Sequence, residues 1–344
     1  MKIALDSTYS LDPLPTGVSV YSREILFGLA AAHPEVEFLH CLRPHRIVRS
    51  LRERLPANCR RRLLLESSRF GAAAVFHGLN QRLPEARQKR AVATFHDLFV
   101  LSGDYSSAEF RTRFAELARQ TAGRADLLIA VSQFTAAQLR DLLNVEAGRI
   151  RVIPHGVRPP APDAALNTPR GRIVLHVGAI QRRKNVARLV EAFERMTPGW
   201  RLVLAGSAGY GASEILARIQ ASPRRADIEL AGYVSDSRLA QLYARAAIFA
   251  FPSLDEGFGM PVLEAMAWGV PVIASNGSAL KEVAGDAALL VDPRDANSIA
   301  GALNALAEDS SLRERLAGLG RARTAEFTWD AAVRSTWAAY CELF

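Results

Sequence analysis

The stretch "AIFAFPSLDEGFGMPVLEAMAWGVPVIAS", which runs from Ala247 to Ser275, decides the fold class of this chain. Its first residues, "AIFAF", form an apolar run that predicts a buried strand ending at Pro252. The glycines of "DEGFG" follow and permit a tight turn and close approach of a ligand to backbone N–H groups. Pro261 suits the first turn of a helix, because its missing N–H would have no partner there. Since "PVIAS" predicts a second strand, the stretch reads as one strand–helix–strand unit of a parallel sheet.

The same alternation of short apolar runs and longer amphipathic runs extends along the chain. In the first half the predicted strands are "KIAL", "EFLHCL", "AAVFHG", "AVATFHD", "LLIAVS" and "IRVIP". The alternation stops in "HGVRPPAPDAALNTPRGR", which is rich in proline and polar residues, and restarts at "RIVLHVG". The end, from Ala296 to Phe344, is predicted to be wholly helical. We therefore predict an α/β protein with two doubly wound, Rossmann-like domains facing across a cleft.

The predicted domain boundaries follow the break in this pattern. They are residues 1–156 for an N-terminal acceptor-binding domain, 157–171 for a linker, 172–326 for a C-terminal nucleotide-sugar-binding domain, and 327–344 for a C-terminal helix expected to pack back on the N-terminal domain. Ligands of open parallel sheets bind beyond the carboxyl ends of the strands, so the loops that follow the strands are the candidate sites.

Composition favours a globular cytoplasmic protein. The chain has 344 residues, which is long for one core and suits two domains. No apolar run reaches the length that spans a bilayer, and the start "MKIALDSTYS" lacks the apolar segment of a secretory signal. The cysteines Cys41, Cys59 and Cys341 are odd in number and scattered, which predicts a reducing compartment and no disulfide framework.

The net charge of +8 is concentrated in one arginine-rich region. Its members are Arg43, Arg46, Arg49, Arg52, Arg54, Arg60, Arg61 and Arg62. Three interpretations stay open: a solvated helix face, contact with an anionic membrane surface, or contact with an anionic substrate.

A diphosphate site is indicated by two separate stretches. The helix that starts near Pro261 leaves backbone N–H groups unpaired, and these attract anions. The stretch "RRKN", with Arg183 and Lys184, opens another helix, where basic side chains oppose the helix dipole unless an anion binds; a solvated basic turn is the alternative. Glu264, about one turn inside the first of these helices, either compensates the dipole or binds ribose hydroxyls. Glu256, in the preceding loop, is placed to hold hydroxyls of a sugar.

Together these motifs resemble the E-x7-E signature and its surroundings in retaining glycosyltransferases of the GT-B fold, glycosyltransferase family 4. The resemblance covers nearly the whole chain. It includes "PTGVSVYSREI", "VSQFTAAQL", "RIRVIPHGV", "HVGAIQRRKN" and the long stretch from "GYVSDSRLAQLYARAAIFAFPSLDEGFGMPVLEAMAWGVPVIASNGSALKEVAGDAALLVDP".

The resemblance implies a role for each matching residue. Lys184 and Arg183 would neutralise the diphosphate of the donor, Glu256 would bind the transferred sugar, and Glu264 would bind the ribose. Other donor contacts would come from Gly17, Gly178, Tyr233, Val234, Gly257, Phe258 and Gly259, and His96 would line the sugar and acceptor side. Many relatives carry an arginine after the glycine of the basic loop, whereas this chain has Ala179. This departure resembles the variant of mannosyl- and rhamnosyltransferases and places more of the phosphate charge on Arg183 and Lys184.

The resemblance implies transfer of a hexose, expected to be mannose from GDP-mannose, with retention at the anomeric carbon. The expected acceptor is a glycan or a polyprenyl-diphosphate-linked glycan in surface polysaccharide synthesis. Retention would proceed through Glu256 as a covalent nucleophile or, as we favour, through attack from the leaving-group face. No D-x-D occurs in the chain, so neither a metal nor another cofactor is expected.

Other functions remain as alternatives. The first is a UDP-hexose-dependent enzyme of the same fold. A nicotinamide oxidoreductase is disfavoured, because "GSAGYG" has the order G-x-x-G-x-G. A non-enzymatic binder of an anionic polymer is the remote alternative, but no nucleic acid partner is expected, since aromatic residues do not interleave with the arginines. Peripheral contact of residues 43–62 with an anionic membrane, at the inner face, is preferred for the cluster.

Overall fold

The computed structural model describes residues 1–12, 14–160 and 169–344. Most of the linker predicted at residues 157–171 falls on 161–168, which lie outside the described residues. The chain divides into two compact units. The first unit comprises Met1–Gly156 together with Phe327–Phe344, and the second comprises Val157–Glu326.

The strands and helices alternate along the chain, as the sequence predicts. The strands are β1 (Lys2–Asp6), β2 (Glu37–Leu42), β3 (Cys59–Leu63), β4 (Val75–Gly78), β5 (Ala91–Phe95), β6 (Leu127–Ala130), β7 (Ile150–Val152), β8 (Ile173–Val177), β9 (Arg201–Ala205), β10 (Ile228–Gly232), β11 (Ile248–Phe251), β12 (Val272–Ser275) and β13 (Ala288–Val291). The helices are α1 (Gly17–Ala32), α2 (Pro44–Ser50), α3 (Phe99–Ser102), α4 (Ala108–Arg124), α5 (Gln133–Leu143), α6 (Val186–Glu194), α7 (Ala212–Gln220), α8 (Asp236–Arg245), α9 (Met260–Ala267), α10 (Ser278–Ala284), α11 (Ala296–Glu308), α12 (Ser310–Thr324) and α13 (Trp329–Cys341).

Each unit contains one parallel sheet with a reversal in strand order. The first sheet has the order β3-β2-β1-β4-β5-β6-β7, and the second has the order β10-β9-β8-β11-β12-β13. In the second sheet the order reverses between β8 and β11, which pair in parallel. The loops that leave these two strands therefore diverge to opposite faces and open a crevice, the usual ligand position in such sheets. The prediction of an α/β protein with two Rossmann-like domains is confirmed.

The cores consist of apolar strands covered by amphipathic helices. In the second unit, strand residues such as Leu202 and Ile273 are fully buried against helix residues such as Leu189 and Ile299. In the first unit, Phe95 and Leu128 are fully buried in the same way. Strands that are buried on both faces consist of continuous apolar runs, and such runs can be predicted from the sequence.

The predicted helical end of the chain is confirmed, and it consists of three helices, α11, α12 and α13. Asp309 caps α12 by accepting from the backbone of Leu312, and Thr328 caps α13 by accepting from the backbone of Ala331. These caps mark the turns between the helices.

The last of these helices, α13, packs on α1 within the first unit. A Cβ at Gly28 would lie only 2.5 Å from Cγ2 of Val333. The helices therefore approach closely where a side chain is missing. None of the helices in the described ranges is long and apolar enough to cross a membrane.

The arginine-rich region is not a single helix face. Arg46 and Arg49 lie on α2, whereas residues 60–62 lie on β3, a strand that the sequence pattern does not predict. β3 pairs only with β2 at one end of the sheet order, so much of it faces solvent and carries charged rather than apolar residues. An edge strand of this kind lacks the apolar run by which the others were recognised.

Candidate active site

The basic loop after β8 is fastened to the end of β11. Residues Arg182–Lys184 form one turn of 3-10 helix, and Asn185 follows in the left-handed region with φ of 58°. The side-chain amide of Asn185 donates to the carbonyls of Pro252 (2.9 Å) and Pro293 (2.6 Å). The backbone N–H of Leu254 donates to the carbonyl of Arg183 (2.8 Å). These bonds hold the two loops of the crevice together.

The fastening brings three charged side chains into one buried cluster. Nζ of Lys184 lies 2.6 Å from Oε1 of Glu256, and Nη1 of Arg183 lies 2.7 Å from its Oε2. Nη1 of Arg183 also donates to the carbonyl of Asp255 (2.6 Å). Burial alone would raise the pKa of Glu256, but the charges and hydrogen bonds of Arg183 and Lys184 outweigh it and lower that pKa to about 2. The carboxylate is therefore ionised, and the cluster carries a net charge of one positive unit.

The glycine-rich loop between Glu256 and α9 is shaped by Gly259. Its φ is 102°, and a Cβ there would lie 2.4 Å from Cδ2 of Leu280. Only glycine meets both conditions easily. Phe258 is buried, and Gly257 precedes it in the same loop. α9 begins at Met260 with Pro261 in its first turn, so the predicted helix start is correct to one residue.

Glu264 has a partner that the sequence pattern does not predict. The hydroxyl of Tyr243, on α8, donates to Oε2 of Glu264 (2.8 Å). Burial raises the pKa of Glu264, and the tyrosine hydrogen bond only partly opposes this. The carboxylate is thus oriented by α8 and not only by the helix dipole. The tyrosine of "DSRLAQLYAR" is the one sign of this partner in the sequence.

Tyr233 and Val234, predicted to meet the base, follow β10 directly and precede α8. Gly232 has φ of 64°, which turns the chain there, and Tyr233 is 45% exposed. An exposed aromatic ring at a strand end is available for stacking. The following helix, α8, then supplies Tyr243, so one segment carries the predicted base loop and the orienting partner of Glu264.

His96 lies in the first unit, at the end of β5, with both ring nitrogens engaged. Nε2 lies 2.9 Å from the carbonyl of Leu79 and must donate to it, and Nδ1 lies 3.3 Å from Nε2 of His155. Burial lowers the pKa of His96 to about 4, so the ring is neutral and Nδ1 accepts from His155. The ring of Tyr21 packs edge-on at 4.8 Å. Neither His155 nor Tyr21 was singled out from the sequence, since their partners lie far along the chain.

Gly17, also in the first unit, is the first residue of α1. The backbone N–H of Thr16 donates to Oγ of Ser19 (3.1 Å), which satisfies a group at the helix start. Gly178 lies in the second unit and directly follows β8. Among the residues that the structure describes, no group of three or more His, Cys, Asp or Glu side chains is arranged to hold a metal ion.

Two family models match the chain. Residues 15–159 match the model described as Glycosyltransferase Family 4, and residues 161–323 match the model described as Glycosyl transferases group 1. The first match covers β2 to β7 of the first sheet but not β1, and the second match covers all six strands of the second sheet.

Individual proteins are similar over long ranges. The O-antigen chain mannosyltransferase B of Escherichia coli is 33% identical over 281 residues, which is 77% of this chain and 74% of that protein. The MMP alpha-(1->4)-mannosyltransferase of Mycolicibacterium hassiacum is 30% identical over 66% of this chain and 56% of its own length. The solved structure of sucrose-phosphate synthase from Thermosynechococcus elongatus has a TM-score of 0.81 and 25% identity, covering 100% of this chain and 99% of that one. The structure of WaaG, a glycosyltransferase involved in lipopolysaccharide biosynthesis, has a TM-score of 0.68 at 17% identity, covering 98% of each chain.

Proposed function

This chain belongs to the GT-B glycosyltransferases, with a Glycosyltransferase Family 4 domain followed by a group 1 domain, and we propose that it is a retaining, metal-independent mannosyltransferase. The proposed donor is GDP-mannose. The proposed acceptor is a glycan or a polyprenyl-diphosphate-linked glycan of a surface polysaccharide.

The buried cluster of Lys184, Arg183 and Glu256 carries this proposal. It lies where the strand order of the second sheet reverses, and it holds more positive than negative charge. In the reaction the bond between the sugar and the diphosphate breaks, and negative charge grows on the leaving phosphate. Fixed cations in a site of low dielectric stabilise that charge without reorganising, which is electrostatic catalysis. The two cations thereby replace the metal ion that other nucleotide-sugar enzymes use.

The state of Glu256 supports attack from the leaving-group face. Both of its oxygens are paired with cations, and its pKa of about 2 reflects a strongly stabilised anion. A carboxylate held in this way is a weak nucleophile, because attack would require breaking the ion pairs. Glu256 therefore acts as a clamp on sugar hydroxyls, and a phosphate oxygen of the donor takes the acceptor proton.

The relatives support the choice of mannose, and guanine is the base that the sequence resemblance implies. Two proteins that are at least 30% identical to this chain are named as mannosyltransferases, one of them for O-antigen chains. The alternative donor, a UDP-hexose, would use the same diphosphate site, because Lys184 and Arg183 contact phosphate and not the base. The loop at Tyr233 and Val234, which contacts the base in this proposal, would discriminate between guanine and uracil.

The exposed arginines around α2 support contact with an anionic membrane. Val48 is 74% exposed and Leu51 is 71% exposed, and Arg49, Arg52 and Arg54 beside them are exposed as well. Apolar side chains surrounded by arginines are typical of surfaces that lie in the interface of a bilayer. Three other arginines of the arginine-rich region have a different role. Arg43, Arg46 and Arg61 pair with acidic side chains or backbone carbonyls of the first unit. We name residues 48–54 the basic apolar patch.

The donor is tested by thermal unfolding with GDP, UDP, ADP and the corresponding sugars. A ligand at 100 times its dissociation constant stabilises the folded state by about 2.7 kcal/mol, which shifts the unfolding temperature measurably. We expect GDP and GDP-mannose to give the largest shifts. Incubation with GDP-mannose and a mannosylated acceptor, followed by NMR of the new anomeric proton, then tests retention. A protein that no nucleoside diphosphate stabilises would contradict the proposed function.

A further inference from the structure

His176 is a fully buried histidine on β8 whose second ring nitrogen has no partner. Its Nδ1 lies 2.9 Å from the carbonyl of Ala250 and carries the ring proton, because a carbonyl only accepts. Burial lowers the pKa of His176 to about 4, so the ring is neutral at physiological pH. Nε2 is therefore an acceptor, and within the described ranges no atom donates to it. A buried acceptor without a donor is costly, and in a native protein it calls for an explanation.

The unpaired nitrogen points towards the basic loop. A Cβ at Gly178 would lie 3.4 Å from Nε2 of His176 and equally 3.4 Å from Cε of Lys184. The imidazole and the lysine stem thus border the same small space at the α-carbon of Gly178. This space lies at the carboxyl end of β8, beside the cluster that binds the diphosphate in the proposed function.

The ring of Phe251 holds both groups in place. It stacks on the imidazole of His176 with ring centroids 5.5 Å apart and planes 23° from parallel. Nζ of Lys184 lies 4.7 Å from the centroid of the same ring. The lysine ammonium and the histidine therefore both contact the ring of Phe251, and the proposed function gives the histidine no role.

We propose that His176 is a positioning residue for Lys184: its Nε2 accepts a hydrogen bond from the Lys184 ammonium when the diphosphate draws that ammonium away from Glu256. The inference rests on the proposed role of the basic loop as the diphosphate site. An ammonium has three N–H donors, so it can bind a phosphate oxygen and the imidazole together. The acceptor is neutral, and it orients the ammonium without cancelling its charge as a carboxylate does. Nε2 gains the partner that it lacks.

Two matched substitutions separate this role from a structural one. His176→Asn retains a donor near the Nδ1 position, towards Ala250, but removes the acceptor at Nε2. His176→Gln retains an acceptor near the Nε2 position but removes the donor to Ala250. We expect His176→Asn to weaken GDP binding about tenfold or more, the usual effect of losing a hydrogen bond to a charged group, and His176→Gln to bind GDP nearly as the wild type does. The opposite order of the two variants would assign His176 a structural role and overturn the proposal.

The dependence on the second phosphate and on Lys184 completes the test. Isothermal titration calorimetry should show that His176→Asn loses more affinity for GDP than for GMP. In a Lys184→Met background His176→Asn should cause no further loss, whereas an additive loss would show that the histidine does not act through the lysine. If the wild type prefers UDP, then UDP and UMP replace the guanine nucleotides. A wild type that binds none of GDP, UDP and ADP would overturn the proposed function, while wild-type binding with an unaffected His176→Asn would overturn this inference alone.

Discussion

Nζ of Lys184 and Oε1 of Glu256 lie 2.6 Å apart in a buried ion pair, although 72 positions separate the two residues in the chain. Arg183 pairs with the other oxygen of the same carboxylate. The proposed clamp for the sugar and the proposed cations for the diphosphate are thus paired with each other. In the proposed reaction a bound diphosphate competes with Glu256 for the Lys184 ammonium and so frees Oε1 for the sugar, while Arg183 keeps Oε2 paired. This competition leads to the first prediction.

Glu256→Gln keeps the shape of the side chain and removes its charge. We expect turnover with donor and acceptor to fall by about ten- to a hundredfold, because a charged hydrogen bond to the sugar contributes about 1.5–3 kcal/mol. Binding of GDP should stay equal or become tighter, since Lys184 and Arg183 lose their competing anion. Steady-state kinetics and calorimetry measure the two effects. The matched control is Glu214→Gln, which breaks the exposed pair with Arg182 and should leave both unchanged; wild-type turnover in Glu256→Gln would refute the clamp.

Glu264→Gln tests the ribose contact. The carboxylate is oriented by Tyr243 at 2.8 Å, so its loss should weaken binding of GDP about tenfold or more, and of guanosine by the same factor. Both ligands contain the ribose, whereas Lys184→Met should affect GDP alone. Tyr243→Phe leaves the charge in place but frees its orientation, so its effect should be smaller. Calorimetric titration of both ligands gives these ratios, and an unchanged affinity for guanosine in Glu264→Gln would assign the residue to helix stability instead.

The stability of the protein in acid should depend on Glu256. Its pKa is lowered from 4.5 to about 2 in the folded state, so its stabilising effect is present above about pH 4.5 and is lost as the pH falls towards 2. The shift corresponds to about 3 kcal/mol of free energy of unfolding. The difference in stability between the wild type and Glu256→Gln should therefore shrink by about this amount over that range. Denaturant unfolding at a series of pH values measures it.

Glu264 supplies a control of opposite sign for this experiment. Burial raises its pKa above 4.5, so the folded state favours the protonated form. Its contribution to stability is present below about pH 4.5 and is lost as the pH rises through the folded-state pKa. Glu264→Gln should thus be more favourable relative to the wild type at pH 7 than at pH 4. The same pH trend in both variants would contradict the assignment of their pKa shifts.

The basic apolar patch predicts binding to anionic vesicles. The wild type should float with vesicles that contain phosphatidylglycerol and remain in solution with phosphatidylcholine vesicles. The double substitution Val48→Ser and Leu51→Ser should reduce flotation, because it removes exposed apolar area and keeps the arginines. Added salt should reduce it too, because about 1 kcal/mol per arginine comes from the surface potential. Leu319→Ser, at an exposed leucine of the second unit, is the control. Equal flotation with phosphatidylglycerol and phosphatidylcholine vesicles would disprove the patch as a membrane contact. Tight binding to RNA without binding to either kind of vesicle would also disprove it.

Much of the fold could be predicted because it depends on local patterns. Buried parallel strands such as β5 and β11 are continuous apolar runs, and α9 begins where Pro261 favours it. The edge strand β3 is not predicted, because its exposed arginines form no apolar run. The roles of Lys184 and Glu256 came from a family resemblance, and they remain predictions.

The sequence by itself determined the order of the buried strands, the family, and the residues proposed to contact the donor. Only the tertiary structure decided which of these groups meet. Strand order places the loop after β8 beside the loop after β11, and this pairs Lys184 with Glu256. In the same way α8 brings Tyr243 to Glu264, and β8 turns the unpaired nitrogen of His176 towards the basic loop. These contacts depend on hydrogen bonds and burial between segments far apart in the chain, and no local pattern of residues contains that information.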